Sequence, residues 1–288
     1  MAPSTDDPLR LLEQQSECSR FPMDLSQFTP FKLPTFANGT NPSRRSHDCD
    51  HTAANIIGSP VSSTLVQGET SYTVVANINH HFPKVIQFRT SALDLNLIDK
   101  ARQTCGDFVP DCKPHSMLAD AYVYEMDLVP GAAFSRAMPQ LLASGMEQCL
   151  VKTVQDFARF FASAWINRPV LELTADTTNK LSAHYTWILD QLFRDLPQHF
   201  HSKLKEVRQG LPLLFRPDYP MVINHDDLLE MNIHVDEKSG CITSIVDWAE
   251  AKIAPFGTSL WGLETILGVQ TASQWIFHPK HSYLRTQF

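Results

Sequence analysis

Four side chains between Met221 and Trp248 have the types and spacing for group transfer: His225, Asp227, Asn232 and Asp247, the first three reading H-x-D-L-x-x-x-N. One carboxylate can accept or orient the proton of an attacking hydroxyl. A second carboxylate and an amide oxygen suit magnesium, a hard cation that takes oxygen ligands. Phosphoryl transfer asks a protein for little more than this, because its catalysis is positioning and charge neutralisation. A competing chemistry, metal-dependent hydrolysis built on the His225–Asp226 dyad, has no second histidine cluster at helical spacing to support it. Asp236 and Glu237 read as polar residues of a turn.

These residues need elements to position them. Met221-Val222-Ile223 is a short buried strand, and Asn232–Val235 is a second. The turn Asp236–Gly240 reverses the chain, and the strand Cys241–Val246 delivers Asp247 close to Asn232. Strand, loop and hairpin follow the order of the protein-kinase catalytic loop, H-R-D-L-x-x-x-N, with a further metal-binding Asp at a nearby strand end. On that template Asp227 is the base, Asn232 and Asp247 hold the metal, and His225 braces the loop.

The text H-D-D-L-x-x-x-N-I-x-V-D, followed by I-V-D-W-A-E-A-K-I-A-P-F-G, resembles the aminoglycoside phosphotransferase and choline-kinase-like family, in particular its fungal subgroup. The resemblance runs from about Gly68 to the C-terminus. It implies an α+β, protein-kinase-like, two-lobed fold with a small antiparallel β N-lobe and a mainly helical C-lobe. It also implies ATP and Mg²⁺ as cofactors and a small-molecule hydroxyl as acceptor. The chain then divides into an irregular N-terminal extension (1–57), an N-lobe with its hinge (58–130) and a helical C-lobe (131–288). The fold is expected to be C-terminally short, because family members continue with further helices where this chain stops at Phe288.

In the N-lobe the strand patterns are Ser62–Gln67, Tyr72–Asn77 and Lys84–Phe88, with turns at Gly68–Ser71 and Asn79–His81. The resemblance implies that the first turn, Gly68 and Ser71, covers the nucleotide phosphates through backbone N–H groups. It also implies a cation on the third strand, usually lysine. Here that strand reads K-V-I-Q-F-R, and alternation puts Gln87 and Arg89 on one face. Arg89 is the candidate phosphate ligand, since a guanidinium can bind bidentately. Gln87 stands uncharged beside it, Lys84 is the fallback, and Asp94 and Asp99 are possible ion-pair partners. Ala121–Leu128 is a strand broken by Pro130-Gly131. The resemblance makes it the hinge, with the backbone of Glu125 to Asp127 facing adenine.

Beyond the hinge Met146, Leu150, Val154, Phe157, Phe161 and Trp165 form one apolar face of a helix that stops at Asn167-Arg168-Pro169. A second helix is expected over Tyr185–Leu196, with Trp187, Ile188, Leu192 and Leu196 inward, and a third over His199–Gln209. A short helix follows at Ser259–Leu267. In the family an Asp near Ser259 often braces the catalytic loop, and a Gly is common where Asp226 stands.

The net charge of −7 gives no nucleic-acid footprint. No apolar run reaches the length of a membrane span, and the acidic start MAPSTDDPLR is no secretory signal. Six cysteines without a C-x-x-C read as free thiols in the cytoplasm. His47-Asp48-Cys49-Asp50-His51 has a metal-site composition but no second ligand group at zinc spacing. The expected function is ATP-Mg-dependent phosphoryl transfer to a hydroxyl of a small molecule. The alternative is a catalytically impaired pseudokinase, or a truncated family member, in view of the missing lysine, the sparse glycines and the short C-terminus.

Overall fold

The computed structural model describes residues 42–64, 67–68, 70–76, 83–143, 145–169, 174–270 and 274–288. Expectations that fall on residues 1–41, on Glu69 or on the Asn79–His81 turn lie outside them. The first part of the chain builds a β-lobe from α1 (Pro42–Ile57), β1 (Val61–Ser63), β2 (Ser71–Ala76), β3 (Lys84–Arg89), α2 (Leu95–Cys105), a 3₁₀ turn (Gly106–Phe108), β4 (Cys112–Leu118) and β5 (Ala121–Asp127). Its strands form one antiparallel sheet in the order β1-β2-β3-β5-β4. Alternation divides the faces. Val74, Ile86, Phe88 and Val123 pack with Cys49 and Ala53 of α1. The opposite face carries Thr73, Gln87 and Tyr124 in adjacent register, with Arg89 two residues on.

Helix α1 corrects the expectation of irregular chain through Ile57. Pro42 is tolerated in the first turn, where its missing N–H costs nothing. Gly58, at φ +75°, ends the helix by donating its N–H to Ala54 O at 2.8 Å. The helix is mostly polar and is held by the sheet beneath it, so its apolar stripe is too narrow to read. The 47–51 cluster resolves into helix faces. Cys49 is buried, which pushes its thiol up to about 12, and Asp50 accepts a hydrogen bond from the Tyr72 hydroxyl at 2.9 Å. Among the described residues no group of three His, Cys, Asp or Glu side chains could hold a metal ion.

The helical lobe follows: β6 (Ala132–Ala133), α3 (Phe134–Leu141), α4 (Glu147–Ile166), α5 (Ala175–Asp195), α6 (His201–Gly210), β7 (Met221–Asn224), β8 (Ile233–Val235), β9 (Ile242–Ile245), β10 (Lys252–Pro255), α7 (Gly262–Leu267), β11 (Gly268–Gln270), β12 (Trp275–Phe277) and α8 (His281–Arg285). Helix α4 is its spine. Leu150, Val154, Phe157, Phe160, Phe161 and Ala164 are buried in the main core, which also holds Trp248 and Leu284. Trp165, expected inside, is 42% exposed and lies edge-on to Phe256 at 4.7 Å.

Helix α5 departs further from expectation. It starts at Ala175, where Thr174 caps it by accepting the Thr177 N–H at 3.2 Å. Of its side chains only Leu189 is buried, and Trp187 is 58% exposed. The helix packs mainly on α6 and the 3₁₀ turn Leu211–Phe215, which cover a narrow strip of it. Among the described residues no helix is long and apolar enough to cross a membrane.

Candidate active site

The site grows from the β8–β9 hairpin. Ile233 pairs with Ile245 and His234 with Ser244. At the tip Asp236 Oδ1 accepts the Ser239 N–H at 2.8 Å and its hydroxyl at 2.7 Å. The hairpin is clamped to α4. Gly240, at φ +75°, lies so close that a Cβ there would sit 2.0 Å from Cys149 O. Thr153 Oγ1 donates to Gly240 O at 2.7 Å, and the Ile242 N–H donates to Asp156 Oδ2 at 3.0 Å. Asp156 is 1% exposed, and its other oxygen pairs with Lys152 at 2.8 Å and with Arg159. Neither Thr153 nor Asp156 was singled out from the sequence. Their signal is polarity in otherwise buried positions of the α4 core face.

The loop between β7 and β8 carries His225, Asp226 and Asp227. His225 is fully buried; its Nε2 donates to Val246 O at 2.8 Å, and its Nδ1 accepts the Asp227 N–H at 3.3 Å. Those two bonds fix the neutral tautomer. Burial against the Trp248 ring edge, 4.7 Å away, pushes the imidazole pKa down. Asn232 Nδ2 donates to both the backbone oxygen and the carboxylate Oδ2 of Asp227, each at 2.9 Å. Its Oδ1 is thereby left as an acceptor. The Val246 N–H donates to Asn232 O at 2.9 Å, so Asp247, the next residue, emerges beside Asn232. Asn232 is thus tied to Asp227, and the Val246 bond sets Asp247 one residue along the chain from that pair.

Support comes from below. Gly262 of α7 lies where a Cβ would be 2.6 Å from Leu228 Cβ. The Thr265 hydroxyl reaches Gly262 O at 2.8 Å and Leu228 O at 3.3 Å. Ser259 is buried with its hydroxyl unpartnered, so the brace rests on Thr265 instead. Asp226 stands in the left-handed region at φ +64°, and its Oδ2 pairs with Lys252 at 2.5 Å.

The β-lobe supplies the cation. Arg89 is 6% exposed; its NH1 lies 3.0 Å from Gln87 Oε1 and 3.5 Å from Asp247 Oδ1, and its Nε has no partner. Lys84 faces elsewhere, bonded to Asp127 at 2.7 Å and near Glu125 at 3.6 Å; the Asp127 hydrogen bond raises its pKa. Asp94 caps α2 by accepting the Leu97 N–H at 3.0 Å, and Asp99 is exposed; neither is an ion-pair partner of Arg89. Gly68 is exposed and abuts the buried Ser71, whose Oγ lies 3.4 Å from Gln87 Nε2.

The hinge expectation shifts along the chain. Glu125 pairs with Ile86 of β3 on one side and Lys113 of β4 on the other, and its carboxylate meets His115 at 2.8 Å. Its backbone is therefore interior to the sheet and not open to adenine. Asp127 still pairs with Lys84, and the Leu128 N–H donates to Pro83 O at 3.0 Å. The pairing of β5 with β3 ends at Asp127.

A metal ion would find oxygen donors of the right kind here. Asn232 Oδ1 and the Asp247 carboxylate are hard ligands, and magnesium takes only a few such groups, leaving the rest to phosphate oxygens and water.

The family model described as the phosphotransferase enzyme family (APH) matches residues 96–269, more than half of the chain, and spans Asp227, Asn232 and Asp247. An ethanolamine kinase structure from Plasmodium vivax is similar at 11% identity and TM-score 0.51, covering 99% of this chain and 80% of that one. An aminoglycoside-3'-phosphotransferase of type VIII matches at 16% identity and TM-score 0.48, over 83% of this chain and 89% of that one. A choline/ethanolamine kinase family protein from Mesorhizobium loti matches at 14% identity and TM-score 0.47, over 76% of this chain and 69% of that one. No curated protein matches. At these identities the likeness is one of fold, and the fold is the two-lobed, protein-kinase-like one.

Proposed function

Because the chain belongs to the phosphotransferase enzyme family, we propose that it transfers the terminal phosphoryl group of ATP, with Mg²⁺, to a hydroxyl of a small molecule. The observation that carries this reading is the approach of Arg89 from the β-lobe to Asp247 from the helical lobe, at 3.5 Å. The two lobes thus bring a buried cation with an unpartnered donor to the side chains of a phosphoryl-transfer loop. A buried donor without a partner calls for an acceptor, and a phosphate oxygen fits a guanidinium.

In this reading Asp227 orients the acceptor hydroxyl and takes its proton as the bond to phosphorus forms. Asn232 holds the Asp227 carboxylate through its amide nitrogen and turns its oxygen to the metal, with Asp247 as second ligand. Bound Mg²⁺ would neutralise charge on the phosphates. His225, neutral and buried, keeps the loop registered on β9 through Val246. Arg89 binds phosphate in place of a lysine, from a position two residues beyond Gln87 on the same face. Gly68 and Ser71 line the phosphate side, and the segment after Asp127 receives the base. The acceptor is one of the small hydroxylated metabolites, as the named activities of the similar structures suggest by analogy. The uncharged Gln87 keeps a second reading open, in which the same site binds nucleotide without turnover.

The test is ATP consumption across a library of hydroxylated small molecules, together with calorimetry of Mg-ATP binding. Asp227→Ala should lower turnover on the order of 10²–10⁴-fold, the range for a general base, while nucleotide binding persists. Asp247→Ala should remove the magnesium dependence of that binding. Undiminished turnover in Asp227→Ala refutes the base. Binding without turnover in the parent protein favours the second reading.

A further inference from the structure

Asp226 directly precedes the base and is held at φ +64°. That region suits glycine, which has no Cβ to clash, whereas an ordinary side chain resists it. At a non-glycine residue this conformation carries a cost that a tether can offset. The structure offers one tether for the side chain, an ion pair. Asp226 Oδ2 is 2.5 Å from Lys252 Nζ, and both side chains are about one-third exposed. Lys252 is well placed to act as a fixed post. It opens β10, paired directly with Asn224, the last residue of β7 before the loop. Its ammonium also lies 5.9 Å from the centre of the Tyr185 ring on α5. The base is otherwise positioned by bonds from its own N–H to His225 and from Asn232. Of these, the Asp227 N–H bond to His225 Nδ1 closes a ring across the Asp226 backbone, and the Lys252 ion pair holds the Asp226 side chain beside it.

We propose that Lys252 is a positioning residue for the Asp227 base, clamping Asp226 in a left-handed conformation that a glycine would adopt unaided. The inference rests on the phosphotransferase reading for the word base; the clamp itself is a statement about backbone geometry. It leads to a specific coupling. Removing the ammonium should harm the loop when residue 226 is Asp and leave it intact when residue 226 is Gly.

The experiment is a double-mutant cycle over Lys252→Met and Asp226→Gly, with Lys252→Arg as the conservative variant. Each protein is read by urea denaturation and by Mg-ATP turnover with an accepted hydroxyl compound. Lys252→Met should lower kcat by up to about fivefold, equivalent to the ~1 kcal/mol upper bound for a partly exposed ion pair, with KM for ATP unchanged and the urea midpoint reduced. Lys252→Arg should restore both. In the Asp226→Gly background Lys252→Met should change neither kcat nor the midpoint beyond error. Equal losses in both backgrounds overturn the clamp. A KM effect without a kcat effect overturns the positioning role. If the parent protein turns over no ATP, the phosphotransferase reading and the positioning role fall together. The urea cycle then decides the clamp alone.

Discussion

Asp156 offers the sharpest test of how the site is built. It sits on α4, is 1% exposed, and accepts the Ile242 N–H at 3.0 Å. In Asp156→Ala that N–H stays buried without a partner. A hydrogen bond to a charged group is worth ~1.5–3 kcal/mol, and an orphaned buried donor costs a similar amount. The two cations that balance the carboxylate are partly in water, Lys152 at 37% and Arg159 at 64% side-chain exposure. Ion pairs to such groups contribute roughly 0–1 kcal/mol each. The expected loss in Asp156→Ala is therefore about 2–4 kcal/mol, a large share of the ~5–15 kcal/mol that holds a protein together. Lys152→Ala and Arg159→Ala should each lose about 1 kcal/mol or less. Urea unfolding followed by circular dichroism measures all three, with an unchanged slope confirming that stability alone has moved. Because Asp247 lies two residues beyond the end of β9, the loosened hairpin should also weaken Mg-dependent nucleotide binding in Asp156→Ala. If Asp156→Ala costs no more than the lysine and arginine variants, the carboxylate does not organise the hairpin and the reasoning fails.

Three further outcomes follow from the geometry. Arg89→Met keeps much of the side-chain bulk but removes the buried cation; ATP affinity should fall by ~1.5–3 kcal/mol, the worth of charged hydrogen bonds, and unchanged calorimetric affinity would exclude Arg89 from the phosphate site. Gly240→Ala must place a methyl 2.0 Å from Cys149 O at a φ of +75°, so it should unfold at distinctly lower urea than the parent, and an unchanged midpoint would contradict the close approach of hairpin and α4. His225 has a folded-state pKa pushed below the ordinary 6.5 by burial. The unfolded chain then binds more protons just below that value, so stability is full above about pH 6.5 and declines as pH falls through the window beneath it. Urea midpoints at about pH 7.5 and about pH 5.5 should show this decline. The same pair of measurements on His225→Gln should show a smaller one.

Local pattern carried most of the chemistry. The β7–β8–β9 unit and the closeness of Asp227 to Asn232 were legible because each depends on short-range rules: apolar runs, a turn, and a fixed loop length between two strands. Arg89 was legible through alternation, since two-residue spacing puts it on the Gln87 face whatever surrounds the sheet. The α4 face could be read from its period until its last turn, where Trp165 continues the period but not the core. Helix α1 escaped because its stability comes from the sheet under Cys49 and Ala53, not from its own composition.

What the sequence determined by itself is the order of the candidate site residues along the chain and the faces they share in each strand. Tertiary structure alone decided that Arg89 approaches Asp247 across the lobes. Lys84 and Arg89 are five residues apart and so face opposite sides of β3; Lys84 pairs with Asp127 and Glu125 of β5, while Arg89 reaches the other lobe. It also decided that Glu125 is enclosed between β3 and β4, and that Lys252 and Asp226 meet. Such pairings depend on strand order and register between distant segments. Those are selected by the burial of the whole core, so no local spacing records them.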